Sequence, residues 1–374
     1  MIFGKPDATM YAGMQSAKGA AAALSGSDAV DFLRESSLIW PKGEQVDRGL
    51  NRAGRYPSKK AIIGQWGEGE VMQEVRGSGT AGTPPNGLSP FLETLLGTKL
   101  TNAAGTVEIG SGAVDGFDST LDLSVGQVLR VDVAGDASKM EIRRIATKSG
   151  GGPYTYTVQR EFSQAPVDSA PIAAGVTYLH LSTETESYMT VEQYIKTVRH
   201  KFTDAVCESL ALTIAEREII KGTFGVRALT YAKTTATPDP YTEVFDDTAA
   251  LGGVDCNLIV GTTATNMKNV DCNLTTRRAR GGINSAGFGD LPWNQTFEAG
   301  GSLSPWVEDF GAFDDFFAGT LATIEMSKGL VAGNMLHIEL ADVQYTGPEV
   351  GDDEGDFQWN LPFEITGGAY IALF

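Results

Sequence analysis

Apolar and polar residues alternate with period two in the clearest stretches of this chain. In ESLALTIA, Leu210, Leu212 and Ile214 fall on one side of an extended backbone, and Ser209, Ala211 and Thr213 on the other. That is the pattern of a strand with one buried face. LATIEMS and MLHIELADV repeat it, with Ile324, Met326, Leu336, Ile338 and Leu340 pointing in and Glu325, His337 and Glu339 pointing out. Such strands predict antiparallel sheet with one wet face. KKAIIGQW and GEVMQEVRG read as two strands of a hairpin turning about GEG. One short helix is punctuated at both ends: SPFLETLLG has Ser89 as N-cap, Pro90 at the first helical position and Gly97 as C-cap.

The texture changes between 106 and 182. LSVGQVLRVDV, KMEIRRIATK, YTYTVQREF and GVTYLHL are short strands separated by Gly- or Asp-rich turns, the spacing of a small β-barrel or sandwich module. It interrupts a second domain, so 51–105 and 183–374 are read as one discontinuous β domain and 1–50 as an amino-terminal arm with at most a local helix.

Composition narrows the function classes. The chain has 374 residues, 42% of them hydrophobic, and 45 glycines, which suits a turn-rich β protein with a sizeable core. No apolar run is long enough to span a bilayer, and MIFGKPDATMY lacks a signal-peptide pattern, so synthesis and retention in a cytoplasm are expected. Net charge is −18, and it is lopsided: from Ala286 onward fifteen acids face Lys328 alone. A segment so acidic repels nucleic acid, whose binding rests on Lys and Arg displacing phosphate counterions.

Candidate chemistry fails on context. GSGTAG at Gly77 matches a dinucleotide fingerprint, but TPPNG follows where a helix must open. Cys207, Cys256 and Cys272, with His180, His200 and His337, show no zinc spacing. In PEVGDDEGDFQW the acids Asp352, Asp353, Glu354 and Asp356 are crowded rather than spaced as calcium ligands, and they lack flanking helices. Adjacent acids in a Gly-rich loop are more simply solvated than set up as a hydrolytic pair. No enzyme signature, metal site or cofactor site is predicted.

Order and texture over both halves resemble the major tail tube proteins of long-tailed bacteriophages. The resemblance rests on the arm, then RYPSKKAIIGQWGEGEVMQEVRGSG and SPFLETLLG, then KFTDAVCESLALTIAEREIIKGTFGVRA. It continues through TTRRARGGINSAGFGDLPWNQTFEAGGSLSPWVEDF, FFAGTLATIEMSKGLVAGNMLHIELADVQYTG and WNLPFEITGG. The resemblance implies a mainly β tail-tube fold: two packed antiparallel sheets with a short flanking helix, closed as a hexameric ring around a central β-barrel. Residues 106–182 depart from the minimal form and look like a decoration module. Implied partners are further copies in stacked rings and the other tail proteins (tape measure, tail terminator, distal tail). Genomic DNA would pass through an acidic lumen without specific binding, in a virion assembled in the host cytoplasm. Acids on polar strand faces or turns, Glu208, Glu216, Glu218, Glu325 and Glu339, are the candidates to line that lumen, and the 352–356 loop is placed in solvent or at a ring-to-ring contact. Two readings compete: a needle or tube protein of a contractile injection or secretion system, and a carbohydrate-binding virion surface protein using Trp293, Trp306 and Trp359.

Overall fold

The computed structural model describes residues 8–46, 61–135, 139–180, 187–254, 256–265, 267–277, 296–307, 311–353 and 356–374. The chain opens with β1 (Ala8–Met14), a 3-10 turn at Gly26–Asp28, β2 (Ser37–Val46), β3 (Ala61–Glu74), helix α1 (Ser89–Leu96) and β4 (Thr98–Asn102). Six short strands follow: β5 (Gly105–Thr106), β6 (Gly116–Ser119), β7 (Val128–Asp132), β8 (Met140–Ser149), β9 (Tyr154–Val158) and β10 (Pro171–Ile172). The chain returns through β11 (Gly175–Leu179), β12 (Met189–Ile195), β13 (Val198–Ala215), β14 (Lys221–Thr235), β15 (Asn257–Val260), β16 (Thr263–Ala264) and β17 (Met267–Arg277). It ends with β18 (Thr296–Pro305), helix α2 (Gly311–Ala318), β19 (Ala322–Val331), β20 (Asn334–Tyr345), β21 (Glu349–Asp353) and β22 (Asp356–Leu373).

Two long strands organise the main sheet by changing partners along their length. The first half of β13 pairs with β12, and its second half, from Ser209, pairs with β17. A register shift between Cys207 and Ser209 marks the switch. Likewise β22 begins against β21 and β18 and ends against β20 and β11. One half of the sheet therefore runs β21-β22-β18-β17-β13-β14-β3-β2, and the other β16-β15-β19-β20-β22-β11-β4. Both halves feed one apolar core, which includes Leu210, Leu212, Phe224, Leu303, Ile338 and Phe363. Helix α1 fills it with Phe91, Leu95 and Leu96.

Some expectations change. The helix forms where predicted, with Gly97 at φ 87° as C-cap, but Leu88 is the N-cap and Ser89 lies in the first turn. There the Ser89 hydroxyl accepts a 2.8 Å bond from the buried Tyr178 hydroxyl. GEG is no turn: β3 runs unbroken through Gly67 and Gly69. Glycine is needed for close approach, since a Cβ on Gly67 would lie 2.6 Å from the Phe202 ring and one on Gly69 2.7 Å from the Ile39 backbone. Gly69→Val is therefore expected to destabilise by about 1–3 kcal/mol through overpacking. Glu70→Ala, next to it in solvent, stays within about 0.5 kcal/mol by denaturant titration. The arm contributes two strands, β1 paired with β12 and β2 with β3, and AAAALSGSDAV holds only the 3-10 turn.

The six short strands form their own sheet, β5-β10-β7-β8-β9-β6, around Val107, Phe117, Leu129, Val131, Tyr156 and Ile172. GVTYLHL, read as a module strand, is instead β11 and belongs to the main sheet, paired with β4 and β22. It is buried along its whole length, as a strand with neighbours on both sides and both faces must be. Two dipeptides, Ala103–Ala104 and Ala173–Ala174, connect the module to the main sheet.

Candidate functional site: one wet sheet face and one sealed face

The register across β18, β17, β13, β14 and β3 sets polar side chains in rows on the face away from the core. One row reads Glu298, Thr275, Ser209, Gly225, Glu70. The next reads Glu364 (from β22), Gly300, Asn273, Ala211, Thr223 and Met72. A third carries Ser302, Asp271, Thr213, Lys221 and Glu74. Glu70, Glu298, Glu364, Asn273 and Lys221 are exposed, while the intervening residues Leu210, Leu212, Cys272, Leu303 and Phe363 are buried on the core side. Glu68 adds a further exposed acid beside Arg227. Acids thus outnumber the bases Lys42, Lys221 and Arg227 on this face. Most of its side chains are short or charged, with Met72 the large apolar exception.

Glu208 sits on this face, half-buried and 3.3 Å from Arg227. Glu216 and Glu218 lie at its end, in the turn from β13 to β14, where Glu216 contacts Arg217 at 3.1 Å. The residues that make the face acidic, Glu68, Glu70, Glu298, Glu364 and Asp271, were missed. Their signal was present: Glu68, Glu70 and Glu74 share one parity in WGEGEVMQE, and the supposed GEG turn hid it.

Glu325 and Glu339 lie elsewhere. They sit on the outward face of β19 and β20, and the six-stranded module covers them. Arg160 grips Glu325 with Nε and Nη2 at 2.6 and 2.7 Å. Arg144 Nε donates to Glu339 at 2.6 Å and its guanidinium stacks 4.2 Å over the Tyr370 ring. Val128, Met335, Ala372 and Phe374 close an apolar seam beside them. The expected wet face of these strands is therefore sealed, because an element inserted some 200 residues upstream in sequence supplies arginines to it.

His337 is enclosed in the same seam. It is 1% exposed, and neither ring nitrogen has a hydrogen-bond partner among the described residues. Burial, aided by Arg160, Arg143 and Arg144 and opposed by Glu325, pushes its pKa down to about 4 from 6.5. A lowered value means that His337 contributes stability that is full above 6.5 and is lost as pH falls toward 4. The loss reaches about 3 kcal/mol at most. Burial raises the Glu339 carboxyl, against the pull of Arg144, so its proton uptake offsets part of that loss. Denaturation at pH 6.5 and 4 should show His337→Leu losing less stability than the parent. Equal losses would contradict this role for His337.

The acidic stretch is a hairpin. Asp352 and Asp353 end β21 and Asp356 opens β22; Glu354 lies outside the described residues, as does Trp293. Trp359 is buried, its ring edge-on to Phe313 at 4.9 Å, so of the three tryptophans only Trp306 is exposed on the described surface.

A wet face across consecutive antiparallel strands, an apolar face behind it and strand edges at β2 and β21 are barrel-wall features. The family model for phage tail tube proteins matches residues 7–366 of this chain. The chain belongs to that family. It is a structural component of the virion tail, and its mainly antiparallel β fold agrees with the tail tube fold. Membership implies assembly with itself and with other tail proteins. A comparison with curated proteins finds no match. Among the described residues of this tube protein, no helix is long and apolar enough to cross a membrane.

Proposed function

We propose that this protein forms the tail tube as stacked hexameric rings, in which the face bearing Glu70, Glu298 and Glu364 lines an acidic bore for genomic DNA. The observation that carries this reading is the uninterrupted row structure of that face. Exposed acids and other polar side chains, with small residues between them and Met72 the one large apolar side chain, run over the strands from β22 to β3, and the reverse side is core. Edge strands left unpaired invite pairing with another chain. In a ring β2 of one copy meets the β21 side of the next, a head-to-tail contact that closes. Duplex DNA carries a charge every ~1.7 Å of axis, so a basic wall would retain it at each contact. An acidic wall repels it within a Debye length of about 8 Å, which prevents sticking without driving transport.

Glu208, Glu216 and Glu218 remain with this bore, the first on its wall and the other two at its rim. Glu325 and Glu339 are reassigned from bore to module anchor. The module, seated on the other half of the sheet, then lies on the outside of the tube. Tape measure, terminator and distal tail proteins would meet the tube interior and its ends, with assembly in the host cytoplasm. Electron microscopy of the purified protein, alone and with a tail-initiating complex, is expected to show rings and tubes. A monomer under both conditions at high concentration would contradict the reading.

A further inference from the structure

The six-stranded module meets the main sheet around a cavity of about 610 Å³, within the usual size range of small-molecule sites. Arg143, Arg160 and Ser163 reach it from the module, and Asn257, Ser327 and Lys328 from β15 and β19. Met140, Ile142, Ile259 and Met335 supply an apolar wall. Glu141 and Glu325 are the carboxylates of the lining, so three cations face two anions.

Both carboxylates are already engaged. The two Glu325 oxygens accept from Arg160 at 2.6 and 2.7 Å. Glu141 accepts from Arg143 Nη2 and from the backbone N–H and hydroxyl of Ser163. The cations, by contrast, keep donors uncommitted. Arg160 holds Glu325 through Nε and Nη2, and its Nη1 has no partner among the described residues. Arg143 donates Nε and Nη2 to the Glu161 carbonyl and one Nη1 hydrogen to that of Ile142, which leaves the other. Lys328 Nζ donates to the Val254 carbonyl with one of its three hydrogens. What the lining still offers is therefore donor capacity on positive groups. Arg143 and Arg160 also repel each other: the Arg143 pKa is lowered by burial and then by Arg160, a repulsion that an anion between them relieves. His337 stands close by, opposite Ser327 in the register and two residues from Met335 on the same face. Neither of its ring nitrogens has a partner among the described residues, and such a buried ring calls for a polar neighbour.

We propose that this cavity binds a small organic phosphate, with the phosphoryl oxygens on Arg143, Arg160 and Lys328 and the hydroxyls toward Ser327 and Asn257. The three cations converge from β8, from the segment after β9 and from β19. That arrangement suits a tetrahedral oxyanion better than a planar carboxylate, which a single guanidinium fork satisfies. The cavity is larger than a bare ion needs, and its apolar wall accepts a carbon skeleton. Because such a ligand touches both the module and the main sheet, its binding fastens the module to its seat. The inference goes beyond the tube reading and does not depend on it.

The test is calorimetric titration of the full chain with glycerol 3-phosphate, inorganic phosphate and glycerol. Glycerol 3-phosphate is expected to bind saturably, inorganic phosphate more weakly and glycerol not measurably. Lys328→Gln is expected to weaken glycerol 3-phosphate roughly tenfold, the scale of one hydrogen bond to a charged group. Lys233→Gln, at an exposed position on β14, should leave the affinity unchanged. Saturating glycerol 3-phosphate should also slow proteolysis at Ala103–Ala104 and Ala173–Ala174. Absence of saturable binding, a Lys328→Gln affinity equal to the parent's, or an equal loss in both lysine variants would overturn the site. Inorganic phosphate or glycerol binding as tightly as glycerol 3-phosphate would overturn the organic-phosphate assignment. Each of these results leaves the tube reading in place, which is tested by micrographs.

Discussion

Replacing Arg144 with methionine is expected to destabilise the protein by about 3–5 kcal/mol, the usual cost of leaving one member of a buried ion pair alone. Glu339 is the member left behind, with a side chain 3% exposed. The low-dielectric seam that raises its pKa then lacks the cation that opposes the rise. Arg144→Met/Glu339→Met removes both charges and is expected to recover most of the loss, because well-packed apolar replacements of buried pairs are often neutral or better. Denaturant titration reads the size of the effect. Proteolysis at the connections Ala103–Ala104 and Ala173–Ala174 reads its place, since a loosened module exposes both. If the single variant costs less than about 1 kcal/mol, as surface pairs do, the seam is wet and the module is only tethered.

The second large effect concerns DNA. Assembled tubes carrying Glu70→Lys/Glu298→Lys/Glu364→Lys are expected to retain duplex DNA that parent tubes release. Each lysine that meets a phosphate adds about 0.9 to the slope of log affinity against log salt. A steep salt dependence confined to the variant, in a filter or sedimentation assay, is the expected outcome. All three side chains are exposed in the single chain, so the substitutions should cost little stability. Variant tubes that bind no more DNA than the parent would remove this face from the bore.

These two sites differed in how far the sequence disclosed them. Period two identified β13 and β20 without ambiguity: Leu210, Leu212, Ile214, Leu336, Ile338 and Leu340 are all buried as expected. Parity says which residues share a face, but it does not say what lies against that face. His337 and Glu339 alternate correctly and are nonetheless sealed, because Arg144, 195 positions away, reaches over them. The reverse error hid the wet face. Gly67 and Gly69 have the composition of a turn, yet they serve the close approach of β3 to Phe202 and Ile39. A glycine needed for space and one needed for φ look alike in a sequence, and only the neighbouring strand separates them. The boundary error at β11 has a similar origin: a short strand of five residues follows the module in sequence but pairs with the chain terminus, Tyr370–Leu373.

The most direct test of the central claim is a density map of the assembled tube at side-chain resolution. The account predicts Glu70, Glu298 and Glu364 bordering an open channel, with the module that holds Arg144 and Arg160 on the outer surface. A channel lined by lysine and arginine, or those three glutamates buried in contacts between copies, would contradict it.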